Sequence, residues 1–199
     1  MILFGVTGGI GCGKSVVCDF LKKKGIAIIE ADPLAKELTN RLPEIRRELT
    51  REFGEDVYSA AGSLNVEKLS QLVFSDSEAR TRVNEIIHPQ VLREIQNRAK
   101  ELSAHHKLVG VEAALIFESK MQEMLDAVVV VSAPLEKRIA WIQRRNNLPR
   151  EEIIKRIQSQ IPLTDKVKLA DYVIENDGSL QDLSDKVDAL YLWLMGKLS

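Results

Sequence analysis

The chain has 199 residues, 45% hydrophobic and 29% charged, with a formal net charge of −1 at pH 7, which suits one domain with a sizeable core. That balance, with a pI near 6.3, gives no global attraction to nucleic acid or an anionic membrane, so phosphate binding has to come from local clusters. No apolar run approaches the roughly eighteen residues of a membrane span, and Met1-Ile2-Leu3-Phe4 lacks a basic leader, so the expected location is cytoplasmic.

Residues 2–7 form an apolar, β-rich run that alternates little, as a central parallel strand buried on both faces should. G-G-I-G-C-G-K-S follows from Gly8 to Ser15, completing the G-x-x-x-x-G-K-[ST] spacing of a phosphate-binding loop. Gly8, Gly9, Gly11 and Gly13 let backbone N–H groups converge on a phosphate where side chains would block the approach. Lys14 is placed to reach the β- and γ-phosphates, and Ser15 to offer its hydroxyl to Mg²⁺. The helix opening near Gly13 and running on through Val16 turns its positive end to the anion.

The two cysteines are Cys12 and Cys18. On a helical path their Cα atoms would stand roughly 9 Å apart, too far for a disulfide, so free thiols in a reducing compartment are expected. Loop N–H groups and Lys14 favour a Cys12 thiolate, which would make it more reactive than Cys18. The competing reading is a small inert thiol shielded by packing.

Residues 14–24 are helical, ending at Gly25, and residues 26–29 form a second short strand, which completes a right-handed βαβ unit. Glu30, Ala31 and Asp32 stand at its carboxyl end, where open α/β sheets place ligands, before a helix that Pro33 can open at its first position. Asp32 could merely cap that helix. Beside a phosphate loop, the favoured reading is a site carboxylate.

Residues 43–102 read as helical, broken at Gly54 and at Ala61-Gly62, with a capping-box signature from Ser75 to Glu78 and a kink or restart at Pro89. So long an excursion between strands reads as an inserted substrate-binding region of about residues 33–104. His88 within it could bind an anionic group or simply end a helix. His105 and His106 have no assigned role.

Residues 108–113 and 127–131 are valine-rich strands. Glu112, inside the first, should face the phosphate crevice, a lysine or a magnesium-bound water rather than lie unpartnered. Helices follow from Pro134 to about Asn146 and from Pro149 to Gln160. Lys137, Arg138, Arg144, Arg145, Arg150, Lys155 and Arg156 crowd this stretch against only Glu151 and Glu152. A solvated face is the ordinary reading of such charge; the favoured one is a basic lid over about residues 134–164, since phosphoryl transfer needs arginines to cover developing charge. A fifth strand at residues 171–175, a turn at Asn176-Asp177-Gly178 and an amphipathic helix over residues 180–198 close the chain. No repeat or linker marks a second independent domain.

These residues alone support an ATP-dependent phosphotransferase, with Asp32 as base or orienter of the attacking hydroxyl and Lys14 stabilising the transferring group. A kinase for another nucleotide or nucleoside is the rival within that class. A GTPase-like switch lacks its N-K-x-D and D-x-x-G motifs, and a nucleic-acid-binding ATPase would show strongly salt-dependent binding.

The chain also resembles the dephospho-coenzyme A kinase family along essentially its whole length. T-G-G-I-G-C-G-K-S resembles that family's T-G-G-I-G-S-G-K-S, and E-A-D at residues 30–32 its D-A-D. N-E-I-I-H-P at 84–89, L-I-F-E at 115–118, R-I-x-S-Q-x-P from Arg156 to Pro162 and A-D-Y-V-I-E-N-D-G-S from Ala170 to Ser179 are similar again. The resemblance implies a three-layer α/β P-loop kinase fold with a five-stranded parallel sheet in order 2-3-1-4-5, an inserted helical substrate region and a helical lid, all within one domain over residues 1–199. It implies MgATP-dependent phosphorylation of the ribose 3′-hydroxyl of dephospho-coenzyme A. ATP binding then falls to Gly8, Gly9, Gly11, Cys12, Gly13, Lys14, Ser15, Val16, Arg145 and Asn176, and acceptor binding to Glu30, Lys36, His88 and Glu112. No nucleic-acid or membrane partner is expected, and the expected state is a monomer or weak homo-oligomer. Glu30, Lys36, Val66, Glu112-Ala113-Ala114 and Trp141 depart from the family's usual letters. At position 36 a lysine cannot make the bidentate contact of an arginine.

Overall fold

The strand β1 (Ile2–Gly8) is buried along its whole length, as its unbroken apolar run requires. It lies between β3 (Leu108–Glu112) and β4 (Ala127–Ser132), with β2 (Ala27–Glu30) and β5 (Tyr172–Glu175) at the edges. All pairings are parallel and the order is β2-β3-β1-β4-β5, as expected. The register sets Val6 beside Glu112 and Glu112 beside Glu30, so β2 and β3 finish level with Val6 while β1 runs two residues further to Gly8. The computed structural model describes residues 1–198, apart from the side chains of residues 74 and 75.

The chain divides into two compact units, one holding Met1–Glu30 and the chain from Arg98 onward, the other Ala31–Asn97. In the first unit, one face of the sheet buries Phe4, Val6, Val129 and Val131 against Val17 and Leu21 of α1 (Lys14–Lys23) and Leu183, Val187, Leu190 and Leu194 of α9 (Leu180–Gly196). The four α9 residues recur at helical spacing and form its apolar stripe. Truncating fully buried Leu190 to alanine should cost about 2–5 kcal/mol. A reciprocal capping box between Ser179 and Asp182 starts α9. Two aspartates fix the strand entries: Asp126 accepts the Leu3 N–H and Asp171 the Val128 N–H, each at 2.7 Å. Helices α6 (Leu135–Asn146), α7 (Arg150–Gln158) and α8 (Leu163–Lys168) lie between β4 and β5 in sequence. Ile139, Ile142 and Ile153 of α6 and α7 make a small core with Ile10 packed against it.

The second unit contains α2 (Ala31–Arg41), α3 (Pro43–Phe53), α4 (Val66–Ser75) and most of α5 (Ser77–Leu102). Helix α2 begins at Ala31, directly after β2, so Pro33 is its third residue and not its first. The missing N–H of Pro33 costs nothing there, because the first four N–H groups of a helix have no intrahelical partner. Gly54 ends α3 at φ 90°, and Tyr58 pairs with Leu64 in an antiparallel bridge around Gly62. The Tyr58 hydroxyl donates to the Thr39 carbonyl at 2.8 Å, tying this turn to α2.

Two details at α5 differ from expectation. Asp76 rather than Ser75 serves its start, accepting the Glu78 N–H at 2.8 Å, while Ser75 is the last residue of α4 and its side chain lies outside those described. The helix also runs through Pro89 without restarting. Val91, Ile95 and Ala99 after the proline are buried at four-residue intervals, as are Ala79 and Val83 before it, and that stripe offsets the one lost hydrogen bond. Among the described residues no helix is long and apolar enough to cross a membrane.

Candidate active site

The chain passes from β1 to α1 through a loop shaped by its glycines. Gly8 lies so close to the Val131 carbonyl of β4 that a Cβ would collide with it, and Gly13 takes φ 89° as the residue before α1. No side chain caps α1, and an uncapped helix start is the positive end at which anions bind. The Gly13 carbonyl takes the Val16 and Val17 N–H groups at 3.1 and 3.2 Å. Lys14 folds back so that Nζ donates to the Gly8 carbonyl at 3.4 Å. Ser15 is exposed beside it.

Distant side chains hold this loop. Arg138 Nε of α6 donates to the Ile10 carbonyl at 2.9 Å, and Gln160 Oε1, just past α7, accepts the Ile10 N–H at 3.1 Å. Asn176, buried after β5, donates from Nδ2 to the Cys12 carbonyl at 3.0 Å. Behind Gln160, Glu118 Oε1 accepts the Ile161 N–H at 3.2 Å and pairs with the fully buried Lys166 at 2.8 Å. Lys166 also donates to the Ala114 carbonyl at 2.8 Å, which Thr7 Oγ1 reaches at 3.4 Å.

The other expected site residues lie on elements outside the loop. Glu112 ends β3 half-buried, and Glu30 ends β2 in an ion pair with Lys22 at 2.5 Å. Asp32 is exposed in the first turn of α2, one turn before exposed Lys36. His88 lies within α5, where burial holds its imidazole below its ordinary pKa. It is therefore neutral at pH 7 and offers an anion an N–H donor but no charge. Arg145 is exposed, its Nε donating to Asn146 Oδ1 at 2.8 Å.

Of the seven basic residues in the lid stretch, Arg150 makes a two-pronged pair with Glu136, and Arg156 donates from Nη2 to Glu152 Oε1 at 2.6 Å. For Mg²⁺, the donor set fits an ion that arrives on a nucleotide: Ser15 supplies one hydroxyl, and no metal-holding cluster of three His, Cys, Asp or Glu residues stands among those described. The Cys12 thiol has the shielded surroundings of the inert reading rather than the open ones that its loop position suggests. It is fully buried, and burial raises its pKa despite Arg138 and Lys14 nearby.

A profile of the dephospho-CoA kinase family matches residues 2–182. The chain belongs to that family. A dephospho-CoA kinase of Carboxydothermus hydrogenoformans is 36% identical over 186 residues, which is 93% of this chain and 90% of that one. A solved Thermus thermophilus structure is similar with a TM-score of 0.83 and 35% identity over 97% of each chain. The dephospho-CoA kinase of Campylobacter jejuni has a TM-score of 0.72 and 27% identity over 96% of each chain.

In this kinase the phosphate loop and the central strand it leaves were legible as sequence. What motif reading missed is the set of residues holding the loop. Arg138 was one of seven basic letters, and Gln160 and Glu118 were letters inside motifs without a stated job. A signal for Arg138 existed: it is spaced with Ile139 and Ile142 on the helix face that packs inward, where a lone cation demands a reason.

Proposed function

We infer that the protein transfers the terminal phosphate of ATP to the ribose 3′-hydroxyl of dephospho-coenzyme A, giving coenzyme A and ADP. The observation that carries this reading is the glycine loop, closed on Val131 and opening directly onto the uncapped start of α1, in a chain of the dephospho-CoA kinase family. The glycine-lined helix start and Lys14 suit a polyphosphate, and they act on charge that is already placed when the reaction begins.

In this reading Gly8, Gly9, Gly11, Cys12, Gly13, Lys14, Ser15 and Val16 bind the phosphates through the loop and helix start, and Asn176 keeps the loop in shape from behind. Lys14 neutralises the transferring group. Ser15 would be the protein's ligand to Mg²⁺, which shields phosphate charge when bound. Asp32, two residues past the carboxyl end of β2, takes the proton of the attacking 3′-hydroxyl. A bond forms between that oxygen and the γ-phosphorus as the bond from phosphorus to the ADP oxygen breaks. Acceptor recognition falls to Glu30, Lys36, His88 and Glu112, with Lys36 as a point charge and His88 as a neutral donor. We assign Arg145 to the outer edge of the nucleotide site, on a lid of about residues 134–164. The protein works in the cytoplasm as a monomer or weak homo-oligomer. It has no nucleic-acid or membrane partner: the basic stretch that would suggest one has Arg150 and Arg156 paired with glutamates and Arg138 buried.

ADP production against a panel of acceptors tests the reading. Dephospho-coenzyme A should support turnover, whereas AMP, UMP and pantothenate should not. Turnover with one of those three and none with dephospho-coenzyme A would show a kinase for a different acceptor.

A further inference from the structure

Arg138 is 5% exposed and has no carboxylate partner among the described residues. Desolvating a guanidinium without a counter-charge is costly, so a buried arginine normally sits in an ion pair. Here the hydrogen bond that holds it runs from Nε to the Ile10 carbonyl at 2.9 Å. That leaves the Nη groups as its remaining donors, and they pack where a Cβ on Gly9 would stand.

Gly9 adjoins Gly8, whose carbonyl accepts from Lys14 Nζ at 3.4 Å. A lysine at this place in a phosphate loop serves the β- and γ-phosphates, so Lys14 marks the terminal-phosphate end of the loop, and Arg138 stands at that same end. The Ile10 peptide that carries Arg138 is held on its other side by Gln160 Oε1 at 3.1 Å. Both backbone groups of one residue are thus fixed by side chains from beyond β4, and the guanidinium is set before any nucleotide arrives. Arg145, the arginine favoured on sequence grounds, is instead exposed and engaged with Asn146.

We propose that Arg138 is a catalytic arginine, whose Nη groups, mounted on the Ile10 carbonyl, bind the terminal phosphoryl group of ATP and neutralise the charge on it during transfer. It exchanges no proton. The phosphorus–oxygen bonds form and break as described above, and the missing counter-charge of Arg138 is the phosphate itself. This rests on the reading of the loop as an ATP site, not on the identity of the acceptor.

The test compares wild-type protein with Arg138→Met and Arg138→Lys by calorimetric titration of MgADP and of the magnesium complex of the imido analogue of ATP, followed by single-turnover phosphoryl transfer. MgADP affinity should stay within about threefold, imido-analogue affinity should fall about tenfold or more, and transfer should slow by about 10²-fold or more. Arg138→Lys should show the same pattern, since lysine cannot hold the Ile10 carbonyl and reach the phosphate together. It also carries the test if the methionine variant does not fold. Equal weakening of the two nucleotides would make Arg138 a structural clamp of the loop, and unchanged binding and transfer would make it a bystander; either overturns the proposal. If wild-type protein binds both nucleotides but phosphorylates no dephospho-coenzyme A, the acceptor reading has failed, and the nucleotide comparison still decides the role of Arg138.

Discussion

Lys166, with no solvent exposure, holds its Nζ 2.8 Å from Glu118 Oε1. The same carboxylate oxygen accepts the Ile161 N–H, next to Gln160, so the pair braces the residue that grips Ile10. A buried pair is worth little against an apolar replacement of both partners, but breaking one side strands a charge. Lys166→Met should therefore destabilise the protein by about 3–5 kcal/mol, and adding Glu118→Leu should restore part of that loss. Urea unfolding of the single and double variants measures it; a double variant less stable than both singles would contradict the account.

The thiols give a second outcome. Burial pushes the Cys12 and Cys18 thiols above their ordinary value, with Glu112 adding to the shift at Cys18. Both should resist alkylation at pH 8 in the folded protein and label together on unfolding. A folded pKa above the unfolded one keeps the proton on the native thiol, so stability should fall as pH rises past about 9, where only the unfolded chain ionises. Cys18→Ala should flatten that alkaline loss. Rapid labelling of Cys12 in native protein, blocked by ATP, would mean that the loop opens far more than its packing implies.

His88 predicts the opposite limb. Its pKa is lowered by burial, so below about pH 6.5 the unfolded chain takes up a proton that the native one refuses, and stability falls as pH drops. His88→Gln should make the melting temperature less dependent on pH between about 7 and 5. An unchanged slope would show that His88 protonates freely in the folded protein.

Lys14→Ala and Asp32→Asn should both suppress transfer, by different routes. Lys14→Ala should weaken ATP binding as well. Asp32→Asn should leave the KM for ATP nearly unchanged while kcat falls by about 10²-fold or more, the scale of a general base. Steady-state kinetics separate the two; near-normal kcat in Asp32→Asn would reduce Asp32 to a first-turn carboxylate that favours the helix dipole.

The strands and the phosphate loop were legible because they rest on local signals: unbroken valine-rich runs, four glycines at fixed spacing, and Lys14-Ser15 opening a helix; the sheet order followed only from the family resemblance. The start of α2, and the absence of a restart in α5 at Pro89, differ from expectation for one shared reason. Proline reads as punctuation in sequence, yet Pro33 falls where the N–H is dispensable and Pro89 falls inside a buried stripe strong enough to carry the helix through it. The bracing of the loop was illegible because it joins Ile10 to Gln160 and Cys12 to Asn176 across 150 and 164 positions. Spacing within a motif says nothing of such pairs. Cys12 shows the same limit, since its charge environment could be read from the motif and its burial could not.

The most direct measurement is phosphorus NMR of the product made from dephospho-coenzyme A and MgATP. The account predicts one new phosphomonoester on the ribose 3′-oxygen, one ADP per phosphate transferred, and loss of both signals in Lys14→Ala. Phosphate placed on any other hydroxyl, or ADP released without a phosphorylated acceptor, would contradict it.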